Sequence, residues 1–244
     1  MRVTAAIVAH PARRDSALTV HASLDREVPL IFDENPVPSA DPVQRWVNHR
    51  NAWEAALAAD PTADAVMVLQ DDVLVARDLL AGVEHALSHF PGAASQRPEF
   101  LVSAYTGTGR PDQRNVKRAL EIARIRGDSW IRTRSLNWGP AIIVPSWTVP
   151  AMLDAVEKHV LSHTPPRSNT DYAIGVYYRD VIGWATHYLV PSLVETGKLP
   201  SLIGHDKGPI RRAHRFIGAD VSALSVPWGR VPKGGLVTRL SEQR

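Results

Sequence analysis

Ala65-Val66-Met67-Val68-Leu69-Gln70-Asp71-Asp72 decides the fold. A continuous apolar run that ends in a polar triplet is the pattern of a strand buried on both faces, at the centre of a largely parallel sheet. The same pattern recurs on the N-terminal side. Val3 to Ala9 is an apolar run that gives way to His10-Pro11, and residues 28–32 form a third run ending at Asp33-Glu34-Asn35. Between them, residues 15–24 carry a helical stripe. Asp41 followed by Pro42 signals a helix start, with the acid as N-cap and the proline in the first turn. That helix is predicted to reach about residue 58, with Val43, Trp46, Val47, Trp53 and Leu57 on one face. Arg50 falls on the same stripe, so a charge is aimed either at the core or at a site.

Beyond the central run the alternation continues. Helices are predicted over residues 78–90, 149–160 and 171–180, and strands over 100–104, 141–144 and 187–190. Residues 107–134 read as a polar, basic loop with an exposed helix. From Pro191 onward glycine and proline are frequent, and no regular element is legible. One open α/β sheet with helices on both faces is the economical reading. In such a sheet the ligand crevice lies beyond the C-terminal strand ends, and here three of those ends carry ligand-type residues: His10-Pro11-Ala12-Arg13, Asp33-Glu34-Asn35 and Asp71-Asp72.

Composition narrows the class. A chain of 244 residues with 44% hydrophobic content has enough apolar material for a real core. It has no cysteine, which excludes disulfides and thiolate metal sites and fits a reducing cytoplasm. The first apolar run is too short to cross a membrane and lacks the flanks of a signal peptide, so a buried strand is expected and no membrane partner. Net charge is only +3, but it is unevenly spread. Residues 1–100 hold 8 Lys/Arg against 14 Asp/Glu, whereas 101–135 and 206–244 each hold 8 against 3. Two basic segments form either a polyanion-binding surface, with nucleic acid the obvious partner, or ordinary solvated faces with phosphate ligands for a nucleotide.

Two adjacent carboxylates after a buried strand repel each other, and a divalent cation is the usual remedy. The alternative is that Asp71-Asp72 caps the following turn. Other positions carry similar pairs of readings. Arg13 has the shape to meet a diphosphate, or is solvated. Asp33 accepts hydrogen bonds from a base or ribose, or stabilises its own turn. Arg50 pairs with Asp72 or a phosphate, or makes a structural salt bridge. Trp138 stacks on a sugar ring, or packs in the core, with Gly139 beside it allowing close approach of backbone to ligand. Asp171 acts on an acceptor hydroxyl, or is a first-turn acid favoured by the helix dipole.

The whole stretch Val66-Met67-Val68-Leu69-Gln70-Asp71-Asp72-Val73-Leu74-Val75 resembles the metal-binding segment of GT-A glycosyltransferases. It is similar in particular to the lipopolysaccharide glycosyltransferase family that includes collagen galactosyltransferases, and to related transferases carried by phages. Asn137-Trp138-Gly139-Pro140-Ala141-Ile142-Ile143-Val144-Pro145 resembles the strand lining the donor-sugar and acceptor pocket, and Thr170-Asp171-Tyr172 the acidic motif that faces the acceptor. Pro191-Ser192-Leu193-Val194 and Pro200-Ser201-Leu202-Ile203-Gly204-His205 resemble the late segment of phage-type members, where the family commonly supplies a metal-ligand histidine. The matches cover most of residues 3–215. Gln70 stands where many relatives have Glu, and Glu195 near where they have a His, which leaves His205 as the late ligand.

The resemblance implies a GT-A (Rossmann-like) fold, a three-layer α/β/α domain with a mixed, mostly parallel sheet over residues 1–205. Residues 206–244 are then a basic extension packing on or closing over the site. It implies Mn²⁺ or Mg²⁺ held by Asp71, Asp72 and His205, and a nucleotide-diphosphate sugar, a UDP-sugar first, met by His10, Pro11, Arg13, Asp33, Arg50, Asp71, Trp138 and Gly139. Asp171 is the expected catalytic group. The acceptor is a hydroxyl, either of a hydroxymethylated pyrimidine in duplex DNA or of a saccharide such as a lipopolysaccharide core. A nucleotidyltransferase on a similar sheet and a non-catalytic nucleic-acid-binding module are the readings from other classes.

Overall fold

The computed structural model describes residues 1–38, 41–93, 95, 97–107, 113–162, 169–197, 199, 202, 212–229 and 231–232, with backbone alone for 113–115. The chain runs β1 (Val3–Ala9), α1 (Arg14–Ala22), β2 (Leu30–Phe32), α2 (Pro42–Ala59), β3 (Ala65–Gln70), β4 (Val73–Val75), α3 (Leu79–Ser88), β5 (Leu101–Ser103) and α4 (Gln113–Arg126). It continues through β6 (Trp130–Thr133), β7 (Ala141–Pro145), α5 (Val149–Leu161), α6 (Thr170–Val176), β8 (Thr186–Leu189) and β9 (Val194–Thr196). The main sheet has seven strands in the order β2-β1-β3-β7-β5-β8-β6. β1 pairs in parallel with both β2 and β3, and β5 with β8; β7 and β6 run against their neighbours. Five of the seven strands therefore share one direction, and β7 is a reversed strand set beside the central one.

The fold follows from the pleat. Ala65, Met67 and Leu69 of β3, with Ala5 and Ile7 of β1, point into one apolar cluster that holds Leu79, Leu80, Val83 and Leu87 of α3. Val66 and Val68, with Ala6 and Val8, point the other way, into a cluster built on Trp46 and Trp53 of α2, Met152 and Val156 of α5, and Ile174 of α6. A side-chain period of two thus splits an unbroken apolar run between two helix layers, which is why the central strands show no polar face. This is the three-layer, Rossmann-like α/β sheet expected from the sequence. Among the described residues, no helix is long and apolar enough to cross a membrane.

Several elements differ from expectation. Asp41 does cap α2, accepting from the Val43 N–H at 2.9 Å. The segment read as loop and exposed helix also contains β6, and α4 buries Val116, Leu120 and Ala123. Residues 73–75, quoted above only as part of a motif, form β4, which pairs with β9 in a separate antiparallel ribbon. The helix expected over 171–180 is regular only to Val176 and continues as a π-helical turn over Tyr177–Ile182. Within the described part of the basic tail, Ala223, Val226, Trp228 and Val231 belong to the same cluster as β1 and β3. Trp228 lies 5.7 Å from Trp130, and a Cβ on Gly82 of α3 would overlap Ala223.

Candidate active site

The C-terminal ends of β1, β2 and β3 open at one edge of the sheet, where β7 begins. Gln70 N–H donates to Pro140 O at 3.0 Å, which fixes the start of β7 against the end of β3. Asp71 and Asp72 follow at once. Asp71 is 6% exposed, and its carboxylate accepts from the His10 N–H at 2.8 Å. Arg13 Nη1 lies 3.1 Å from Asp71 Oδ1 and 2.7 Å from Asp72 Oδ2, so one guanidinium holds both acids. Ser16 Oγ donates to Asp71 O at 2.7 Å. Burial pushes the Asp71 carboxyl above its ordinary value, against the His10 N–H and the Arg13 charge, while the Asp72 charge adds to the rise. A carboxylate kept costly in a cleft next to a second one is a functional-site signature.

The β1 turn that carries Arg13 is local chemistry. Pro11 opens a 3-10 turn over Pro11–Arg13, and His10 caps it, its Nδ1 accepting from Ala12 N–H at 3.1 Å. His10 and Arg13 are thereby delivered to the aspartates, while Pro11 shapes the turn. Asp33 sits at the neighbouring strand end, its N–H donating to Ala9 O at 2.9 Å. Its Oδ1 accepts from Asn35 N–H at 2.9 Å, so the turn-stabilising role is filled by one oxygen. Asn48 of α2 closes the same edge, donating from Nδ2 to Ala9 O at 2.9 Å.

Gly139 and Asp171 meet on the β7 side. A Cβ at Gly139 would stand 2.9 Å from Asp171 Cβ, so the glycine admits the Asp171 side chain rather than a ligand. Asp171 is in the first turn of α6 and accepts from the Tyr172 N–H at 2.8 Å. Arg45 of α2 lies within electrostatic reach. Burial draws its guanidinium down from the ordinary value, and the charges of Asp171 and Asp41 oppose that. His49, one turn on, is pulled down to about 4 by burial and by the Arg45 charge, and is a neutral imidazole at pH 7.

Two expected ligand contacts take the structural alternative. Trp138 is 4% exposed and packs edge-on against Tyr188 at 5.5 Å and Tyr105 at 6.2 Å, so it is core and presents no face to a sugar. Arg50 pairs with Glu54 at 2.9 Å and with Glu157 of α5, tying two helices together rather than meeting Asp72. His205 lies outside the described residues. Among the described residues, no group of three or more His, Cys, Asp or Glu is placed to hold a metal. Arg45, Asn48, His49 and Ser16 were not singled out from sequence. The first three sit at i, i+3 and i+4 on α2, and three polar residues at helical spacing on a core-facing helix are the signal that would have found them.

The late chain borders this edge. Gly197 N–H donates to Asp72 O at 2.5 Å, and Glu195 Oε1 accepts from Ala213 N–H at 2.7 Å. Ala213 bridges to Gly107, and His214 N–H donates to Thr106 O at 2.5 Å, which lays the tail's first described residues along the segment that leads into α4. The Arg215 charge acts on Glu121 of α4. The two basic segments are therefore neighbours.

No protein-family model matches this chain, and no curated protein sequence matches it. Among solved structures, the mannose-1-phosphate geranyltransferase from Thermus thermophilus is similar over 78% of this chain and 74% of its own, at 12% identity and a TM-score of 0.36, a likeness too distant to bear on function.

Proposed function

We propose that this chain is a metal-dependent glycosyltransferase of the GT-A type, moving a sugar from a nucleoside-diphosphate donor, a UDP-sugar first, to a hydroxyl acceptor. The observation that carries the reading is the convergence of Asp71, Asp72, His10 and Arg13 at the C-terminal ends of β1 and β3, beside the reversed strand β7. Crevices at that edge of an open α/β sheet are where such folds take ligands. The donor set fits a hard divalent cation, since Asp71 and Asp72 offer carboxylate oxygens and Asp72 Oδ1 has no partner among the described residues. Asp71 and Asp72, with His205 as the third ligand, would hold Mn²⁺ or Mg²⁺. When bound, such an ion supplies Lewis-acid neutralisation of the diphosphate leaving group.

The remaining roles fall to side chains. Arg13 is suited to phosphate oxygens by its planar fork, and the second oxygen of Asp33, without a partner among the described residues, to the base or ribose. Asp171 accepts the acceptor hydroxyl's proton if the reaction inverts the anomeric carbon, and positions that hydroxyl if it retains configuration. The Asp171 charge in turn favours the charged guanidinium of Arg45.

The adjacency of the two basic segments favours a polyanionic acceptor over a neutral glycan. Lys117, Arg118 and Arg126 on α4 and Arg212 and Arg215 on the tail are exposed, and the tail is joined to the Asp72 edge through Glu195. Duplex DNA carrying hydroxymethylated pyrimidines has the required hydroxyl, reached in the major groove or by flipping the base out. The test is nucleoside-diphosphate release with Mn²⁺ over a panel of UDP-, GDP- and dTDP-sugars, with and without that DNA. Metal-dependent release stimulated by the DNA and lost in Asp72→Ala supports donor and acceptor together. Release without DNA stimulation moves the acceptor to a glycan, and failure to bind any donor refutes the transferase reading.

A further inference from the structure

The crevice already holds a cation of its own. Arg13, Asp71 and Asp72 have side chains only 13%, 8% and 17% exposed, and the single Nη1 spans the two carboxylates. It relieves the repulsion that a divalent cation would otherwise relieve. Beside it stands a second ring nitrogen with no partner among the described residues. His10 Nδ1 accepts from Ala12, which leaves Nε2 as the ring nitrogen able to donate, and that atom is buried without a hydrogen-bond partner among the described residues. A buried N–H and a guanidinium one turn apart are both shaped for anionic oxygen.

We propose that Arg13 is an exchangeable internal counter-ion: it competes with a divalent cation for Asp71 and Asp72, and a nucleoside diphosphate draws it off by offering phosphate oxygens in their place. The inference rests on the transferase reading and adds a regulatory coupling to it. No covalent bond changes; the Arg13–Asp72 ion pair is exchanged for an Arg13–phosphate pair. With Arg13 in place, the carboxylate pair carries one negative charge instead of two and shares its facing oxygens, so a divalent cation alone is held weakly. Once Arg13 has turned to phosphate, both acids are available. Donor and metal binding then reinforce each other, and by linkage each tightens the other by the same factor. The consequence for the enzyme is that it does not sequester metal in the absence of donor.

The test is Mn²⁺ binding, read by the electron paramagnetic resonance of free Mn²⁺, with and without UDP, for the unaltered protein, Arg13→Met and Arg13→Lys. The expected result is that Arg13→Met binds Mn²⁺ alone about tenfold tighter than the unaltered protein or more, within the usual range of coupling between sites. Its further gain from UDP is smaller, and Arg13→Lys, which keeps the charge, stays near the unaltered protein. Arg13→Met that melts normally yet binds Mn²⁺ no more tightly overturns the proposal while leaving the transferase reading intact, provided UDP and Mn²⁺ bind. Binding of neither probe to any of the three proteins removes both. Because Arg13→Met leaves two acids unpaired and can fail to fold, a second readout uses the unaltered protein. The ¹⁵N resonance of the Arg13 side chain, identified by its loss in Arg13→Lys, is expected to shift when UDP and Mg²⁺ are added; an unmoved resonance overturns the proposal.

Discussion

Acidification between pH 6.5 and 4.5 is expected to destabilise this protein steeply. The groups responsible are His187 and His49. His187 is 9% exposed on β8, edge-on to Phe90 at 4.9 Å, and burial draws its pKa down from 6.5 to about 4, helped by the Arg132 charge and weakly opposed by a hydrogen bond to the Leu101 backbone. His49 is lowered to the same value by burial and Arg45. In both, the folded pKa is below the unfolded one. The unfolded chain therefore binds more protons across this window, and stability falls as pH falls. The contribution is complete above 6.5 and is lost progressively down to about 4. For a shift of this size the loss by pH 5 is about 2 kcal/mol per histidine, with a ceiling of about 3.4 kcal/mol each. Two together lower the melting temperature by about 8–16 °C at this chain length. The assay is urea unfolding at half-unit steps from pH 8 to pH 4.5, for the unaltered protein and for His187→Gln and His49→Gln. Each variant is expected to flatten the slope by up to one proton. If both glutamine variants keep the full slope, or if stability rises on acidification, the burial argument is wrong.

Other predictions concern the site and its supports. Gly139→Ala is expected to cut donor turnover by at least about tenfold in a nucleoside-diphosphate release assay, because a Cβ 2.9 Å from Asp171 Cβ must displace that side chain, and misplacement of about 1 Å can cost a hundredfold; unchanged turnover would remove Asp171 from the chemistry. Arg50→Met is expected to leave donor affinity, measured by calorimetry, unaltered and to cost at most about 1 kcal/mol in denaturant unfolding, as its partners Glu54 and Glu157 are partly exposed. Gly82→Ala is expected to destabilise the fold by about 1–3 kcal/mol in the same unfolding assay, since the added methyl overlaps the Ala223 side chain and crowds its backbone. A neutral result there would mean that Ala223 does not pack on α3 in solution.

How much of this was legible in the sequence depends on whether a signal is local. β1, β3 and β7 were readable because a strand buried on both faces needs an unbroken apolar run, and α2 because Asp41 and Pro42 mark its start. β6 was hidden because Trp130-Ile131-Arg132-Thr133 is four residues long and lies among basic residues, so it looks like the edge of a loop. β4 and β9 are three residues each, too short for periodicity to register. At the site, the strand-end rule located His10, Arg13, Asp33 and Asp71-Asp72 without any knowledge of partners. It could not rank the two readings of Arg50, because the deciding partner, Glu157, lies on a different helix. Nor could it separate a stacking tryptophan from a core one at Trp138, since both are apolar and both sit beside glycine. Arg45 was not singled out because the charge that acts on it, Asp171, comes from α6, far away in sequence.

The bond from Gly197 N–H to Asp72 O has a consequence in time rather than in space. Asp71, Asp72, His10 and Arg13 are all synthesised within the first third of the chain, yet the Asp72 carbonyl is met by Gly197, just past a strand made near the end. Glu195 in turn waits for Ala213, and α3 waits for Ala223. During synthesis the early half is thus a sheet with an unfinished edge, its acid pair held by Arg13 while the Asp72 carbonyl still lacks the Gly197 N–H. A chain stalled on the ribosome near residue 180 is expected to carry Asp71, Asp72 and Asp171 without the late contacts from Gly197 and Glu195 that border them. That edge of the sheet is completed last, by the tail.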